Sequence, residues 1–221
     1  MRSGRGGPRP GAGRPRRPGR QVIHHVRRHG VAKGAPCHVT LRVREGVPSL
    51  RQKAFLKEMR RSFRASCEQG AFRVVHYSVQ RDHVHLLVEA AGKDALGNGM
   101  RSIAPRVARA VNRVFKRRGK VLLGRYHVRV LRTPREVRSA LAYVLLNTRR
   151  HWWKRHKKTP PVRLDEGSSC RWFDGWKCVA WRVPLETETA PEVAMPRTWL
   201  LSQGWRHHRL IDPSEVPGRR G

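Results

Sequence analysis

The sequence predicts an α+β, ferredoxin-like fold: a four-stranded antiparallel sheet with helices on one face, plus a C-terminal helix that carries the chemistry. Three observations predict it. Apolar and polar residues alternate over residues 38–44, as in a half-buried strand, and residues 72–79, 84–88 and 126–131 read as three further strands. Between these runs, apolar residues recur at helical spacing. The resulting order is βαββαβ, then α, with turn-forming residues between the runs.

Each element follows from its own residues. The alternation His38-Val39-Thr40-Leu41-Arg42-Val43-Arg44 sets one face of the first strand on a core. Pro48 and Ser49 open a helical pattern in which Leu50, Phe55, Met59, Phe63 and Cys67 share a face, closing at Gly70. Residues 72–79 form the second strand, Arg81 and Asp82 a tight connection, and residues 84–88 a third strand, paired most simply as a hairpin. Ser102 caps a second helix whose face holds Ile103, Val107, Val111 and Val114, with Pro105 in its first turns and Gly119 at its end. After the fourth strand, Thr133-Pro134-Arg135-Glu136 supplies a cap, a first-turn proline and an early acid for the last helix. On it, Val137, Leu141, Val144 and Thr148 share a face, and Tyr143 and Asn147 lie one turn apart on the flank.

A chain of 221 residues with 38% apolar residues allows one ordinary domain with tails. Residues 1–34 are rich in glycine, proline and arginine, and no acid precedes Glu45, so they are expected to form a disordered basic arm. Within it Arg16 and Arg17, beside Arg14, are candidates for tracking phosphates. Residues 35–155 form the expected catalytic domain, and residues 156–221 a loop-rich extension with tryptophan islands around Trp172, Trp181 and Trp199.

Lysine and arginine number 49 against 15 acids, a formal charge of +34 whose natural partner is a polyanion. Nucleic acid is favoured over membrane, because no stretch approaches the roughly 20 apolar residues of a spanning helix. Cys37, Cys67, Cys170 and Cys178 are scattered, and no apolar leader is visible, which points to free thiols in a cytoplasmic setting.

The chemistry gathers on few residues. Alternate side chains of a strand share a face, so His83 and His85 stand about 7 Å apart along the backbone and both reach one cation. Tyr143 and Asn147, neighbours on a helix, would add a phenol and an amide oxygen. Imidazoles alone suit zinc, whereas an amide oxygen and a substrate phosphate favour magnesium or manganese. A free phenol titrates near pH 10, so its attack on a phosphodiester needs a nearby cation. Past the tyrosine, Arg149 and Arg150 are candidates for the phosphate backbone, and Trp152 and Trp153 for base stacking or core burial.

HVHLL at 83–87, GRYH at 124–127, LRTPREV at 131–137 and YVLLNTRRH at 143–151 together resemble the single-tyrosine HUH transposases, in particular the REP-associated tyrosine transposases of bacteria. The resemblance runs from about Pro36 to His151, and WFDGW at 172–176, TWLL at 198–201 and GWRHH at 204–208 resemble the tail of one branch. It implies that Tyr143 is the nucleophile and that His83, His85 and Asn147 bind Mg2+ or Mn2+. It further implies cleavage and rejoining of single-stranded or hairpin DNA, by a monomer or homodimer at the bacterial nucleoid. Related enzymes commonly carry glutamine where Asn147 stands. Two other readings remain open at this stage: a non-catalytic nucleic-acid-binding domain, and a zinc-dependent hydrolase with water as nucleophile.

Overall fold

The computed structural model describes residues 35–178, 180 and 190–218. Arg16 and Arg17, with the rest of the basic arm and Trp181, lie outside the described residues. The elements run β1 (Cys37–Arg42), α1 (Lys53–Arg64), β2 (Glu68–Gln69), β3 (Phe72–Val79), β4 (His83–Ala90), α2 (Lys93–Val114), β5 (His127–Val130), α3 (Pro134–Leu145) and α4 (Asn147–His156). A short α5 (Trp199–Ser202) follows in the tail.

The fold is α+β with an antiparallel sheet ordered β2-β3-β4-β1-β5. The four expected strands are present, and β2 adds a fifth. Its two residues pair with the start of β3 across Gly70, whose φ of +55° suits glycine. Gly70 therefore turns a hairpin, and α1 has already ended at Arg64.

Strand alternation sorts the side chains into two layers. Val39 and Leu41 of β1, Tyr77 and Val79 of β3, and Val84, Leu86 and Val88 of β4 join Phe55, Met59 and Phe63 of α1 and Ile103, Val107 and Val111 of α2 in one core. Burying each such side chain stabilises by roughly 1.5–3 kcal/mol, so this layer supplies most of the driving force. A β-bulge interrupts β3: Val74 pairs with Val88 and His76 with Leu87, leaving Val75 without a partner. Val75 and His76 consequently both turn to the opposite face. There Val75 and Leu87 pack with Val137, Leu141, Val144 and Leu145 of α3, and with Phe173, Trp176, Leu201, Trp205 and Ile211 of the tail. Helices α1 and α2 thus cover one face as expected, while α3 and the tail cover the other.

The second helix differs from its expected start. It begins at Lys93, nine residues before Ser102, and Pro105 lies well inside it. Gly97 and Gly99 disguise this stretch as a loop, yet Gly99 has a packing reason: a Cβ there would overlap the ring of Phe72. The last helix differs more consequentially. Its N-terminus has the expected capping box between Thr133 and Glu136, but Leu146 leaves helical geometry, with φ −110° and ψ +20°, and a new helix starts at Asn147. Tyr143 and Asn147 therefore belong to different helices, and the single unbroken helix expected to carry both is interrupted between them.

Candidate active site

The site lies on the sheet face covered by α3. On β4, His83 and His85 share that face because they are two residues apart, and β1 brings Thr40 directly opposite His85. Their ring nitrogens converge: His83 Nε2 lies 2.9 Å from His85 Nε2. Two nitrogens bound to one ion at about 2.1 Å and at right angles are about 3 Å apart, so the spacing suits adjacent ligand positions.

The outer nitrogens are held too. Asp82 Oδ1 lies 2.7 Å from His83 Nδ1, and with Asp82 as acceptor this leaves the Nε2 lone pair facing inward. His85 Nδ1 lies 3.0 Å from His38 Nε2 and 3.2 Å from Thr40 Oγ1. His85 is only 4% exposed. Burial first, then the neighbouring His38, His83, His151 and Arg150, push its pKa down to about 2. His38 is pushed to about 4 by burial, then Arg129, His127 and His83. Both rings are thereby kept neutral, the form a metal ligand requires. Although its partial burial opposes this, His83 and Arg42 hold the Asp82 carboxyl below its usual range.

Tyr143 projects from α3 toward this group. Its ring stands edge-on to His85 at 5.1 Å between centroids and to His38 at 5.7 Å, with the Arg150 guanidinium 5.0 Å from its ring centre. The tyrosine is half-buried and lines an open cleft of about 820 Å³ together with His38, Arg129, Arg138 and Arg150. A second cleft of about 690 Å³ borders His83 and is lined by Arg51, Arg81, His151, Lys154 and Arg155. Apart from Glu136 and Glu215 in the first and Asp82 in the second, the charged groups of both clefts are basic.

Asn147 is fully buried at the start of α4, and neither its Oδ1 nor its Nδ2 has a hydrogen-bond partner. A buried amide left unsatisfied is costly, and a cation would satisfy the oxygen. The paired imidazoles by themselves fit two adjacent positions of a divalent ion. Among the described residues no group of three or more His, Cys, Asp or Glu is placed to hold a metal ion.

Other expectations fare differently. Arg150 faces the first cleft, but Arg149 does not share it. Arg149 is 4% exposed and donates to the backbone carbonyls of Pro161, Ser214 and Glu215, clasping the C-terminal tail to α4 instead of meeting a phosphate. Trp152 and Trp153 are both half-exposed, so neither is a core residue. All four cysteines are free, with Cys170 buried and Cys178 exposed. Sequence reasoning missed His38, Thr40, Asp82 and His151. The alternation of β1 already set His38 and Thr40 on one face, but only the β1–β4 register shows that this face meets His85.

A family model described as transposase IS200 like matches residues 33–130, a span that includes both β4 histidines and ends before Tyr143. No curated protein matches the chain. A solved structure of a REP-associated tyrosine transposase bound to a REP hairpin is similar at 18% identity, covering 59% of this chain and 76% of that one, with a TM-score of 0.49. A crystal structure described as that of a transposase from Deinococcus radiodurans is similar at 16% identity, covering 51% of this chain and 86% of that one, with a TM-score of 0.37. Among the described residues no helix is long and apolar enough to cross a membrane.

Proposed function

We propose, from the match of residues 33–130 to a family model described as transposase IS200 like, that this protein cleaves single-stranded or hairpin DNA and rejoins it through Tyr143, as a transposase of the REP-associated kind. One observation carries the reading. A half-buried tyrosine, delivered by a helix outside the family match, stands against the buried His85 of the histidine pair and opens onto a basic cleft.

In this reading His83, His85 and Asn147 hold Mg2+ or Mn2+, which when bound polarises the phosphate and offsets the charge developing on it. The residues of the chain do the rest. Arg129, Arg138 and Arg150 attract the DNA backbone into the cleft, and Arg150 lies against the tyrosine ring where a phosphate must approach. The phenol of Tyr143 loses its proton to solvent, and its oxygen attacks phosphorus. The bond from phosphorus to the 3′ oxygen breaks, and that oxygen takes a proton from solvent. The products are a 5′-phosphotyrosine and a free 3′ hydroxyl, so the energy of the bond is kept for rejoining. In the reverse sense, a 3′ hydroxyl attacks the phosphotyrosine and releases the phenol. The substrate places the protein on DNA at the bacterial nucleoid.

A purely binding domain would present an open sheet with aromatic side chains for stacking. Here helices and the tail cover both sheet faces. A zinc hydrolase would leave Tyr143 idle beside the histidines. The test is incubation with end-labelled single-stranded hairpin DNA and Mn2+, followed by denaturing electrophoresis. A labelled band that survives denaturation and migrates with the protein is expected, and cleavage without any such band would favour the hydrolase.

A further inference from the structure

We propose that His38 is a positioning residue for the metal centre: its Nε2, assisted by Thr40 Oγ1, accepts the Nδ1 proton of His85 and so commits the opposite nitrogen of that ring to the cation. This inference rests on the reading of His83 and His85 as metal ligands.

If both Nε2 atoms, 2.9 Å apart, present lone pairs to one ion, each neutral ring must carry its proton on Nδ1. For His83 the acceptor is a carboxylate, Asp82, 2.7 Å away. Among the described residues no carboxylate is hydrogen-bonded to His85. The groups that meet its Nδ1 are His38 Nε2 at 3.0 Å and Thr40 Oγ1 at 3.2 Å, both delivered by β1. His38 therefore fills the place that an acid fills for its neighbour.

The strand pairing explains why these two residues serve. Thr40 lies directly opposite His85, and His38 pairs with Leu87, placing its longer side chain diagonally across from His85 on the same face. The His38 ring also stands edge-on to Tyr143 at 5.7 Å and lies 5.0 Å from the His85 ring, so it packs against both the ligand and the tyrosine, which touch each other at 5.1 Å. An imidazole acceptor leaves the centre with less negative charge than a second carboxylate would. The ligand set is then electrostatically compatible with a DNA phosphate arriving beside it.

The test measures Mn2+ binding by electron paramagnetic resonance on the full chain, with folding followed by circular dichroism. His38→Ala is expected to weaken Mn2+ binding about 10- to 100-fold at unchanged secondary structure, the usual effect of removing such a partner. His38→Gln, whose side-chain oxygen can accept the same proton, should recover much of the loss. Equal affinity in the parent, His38→Ala and His38→Gln proteins would overturn the role of His38 while leaving the metal reading intact. Equal loss in both variants would also overturn it, because simple packing would then explain the effect. Failure of the parent chain itself to bind Mn2+ would overturn the metal centre and this role together.

Discussion

The ring of Tyr143 stands edge-on to the ring of His85 with 5.1 Å between centroids, although one residue comes from the middle of the sheet and the other from a helix almost sixty positions later. The contact exists because α3 lies across β3 and β4 on the face opposite α1 and α2, anchored by Val75 and Leu87 beneath it. The same packing that buries its apolar stripe sets Tyr143 at the edge of that stripe, half in the core and half in a basic cleft.

Tyr143→Phe keeps the ring and its packing and deletes only the attacking oxygen. We expect covalent protein–DNA adducts to fall by at least about 10³-fold, with hairpin affinity and thermal stability nearly unchanged. Quantifying the denaturation-resistant band against total binding in a gel-shift assay checks this, and an undiminished band would reveal another nucleophile.

His83→Ala removes one ligand from a half-buried position beside the Asp82 carboxylate. Mn2+ affinity should drop at least about tenfold and cleavage should be lost, as it should when a chelator is added to the parent protein. Isothermal titration and a cleavage time course report the two effects; cleavage that persists in excess chelator would contradict the metal role.

Arg149 and Arg150 are adjacent in sequence and should behave oppositely. Arg149→Ala leaves the carbonyls of Pro161, Ser214 and Glu215 without their donor, so a stability loss of about 1–3 kcal/mol is expected in urea unfolding. Arg150→Ala should leave stability intact and weaken DNA binding, with the plot of log affinity against log salt shallower by about one. Reversed results would mean that the two side chains have been assigned to the wrong tasks.

Acid should destabilise the fold through His76, which is buried against Phe173 with its Nδ1 3.1 Å from Ser169 Oγ. Burial lowers its pKa to about 3, whereas an unfolded histidine titrates near about 6.5. Above pH 6.5 neither state takes the proton, so the full stability is present. As pH falls from about 6.5 toward 3, only the unfolded chain is protonated at this site, and stability declines by up to about 1.4 kcal/mol per pH unit. Denaturant midpoints at pH 7 and pH 5 should separate less in His76→Gln than in the parent; an identical separation would remove His76 from the account.

Gly99→Ala tests the long second helix. Alanine favours helix, yet its Cβ would collide with Phe72, so overpacking should outweigh propensity and lower stability by about 1–3 kcal/mol. A stabilised variant would show that the Phe72 ring can move aside at little cost.

The sequence by itself determined the strand alternation, the capped start of α3 and the pairing of His83 with His85, because each depends on the period or chemistry of residues close together in the chain. It also pointed to Tyr143 through the resemblance of its motifs, but the single helix expected to carry Tyr143 and Asn147 together breaks at Leu146. Gly97 and Gly99 hid the first turns of α2, because the benefit of a missing Cβ appears only where Phe72 packs against it. Which arginine meets the cleft and which clasps the tail, and that His38 and Thr40 meet His85, were decided by tertiary structure alone. The contacts of His85 with β1 and of Arg149 with Ser214 and Glu215 join residues from 45 to 66 positions apart, and no local periodicity encodes strand register or the path of a returning tail.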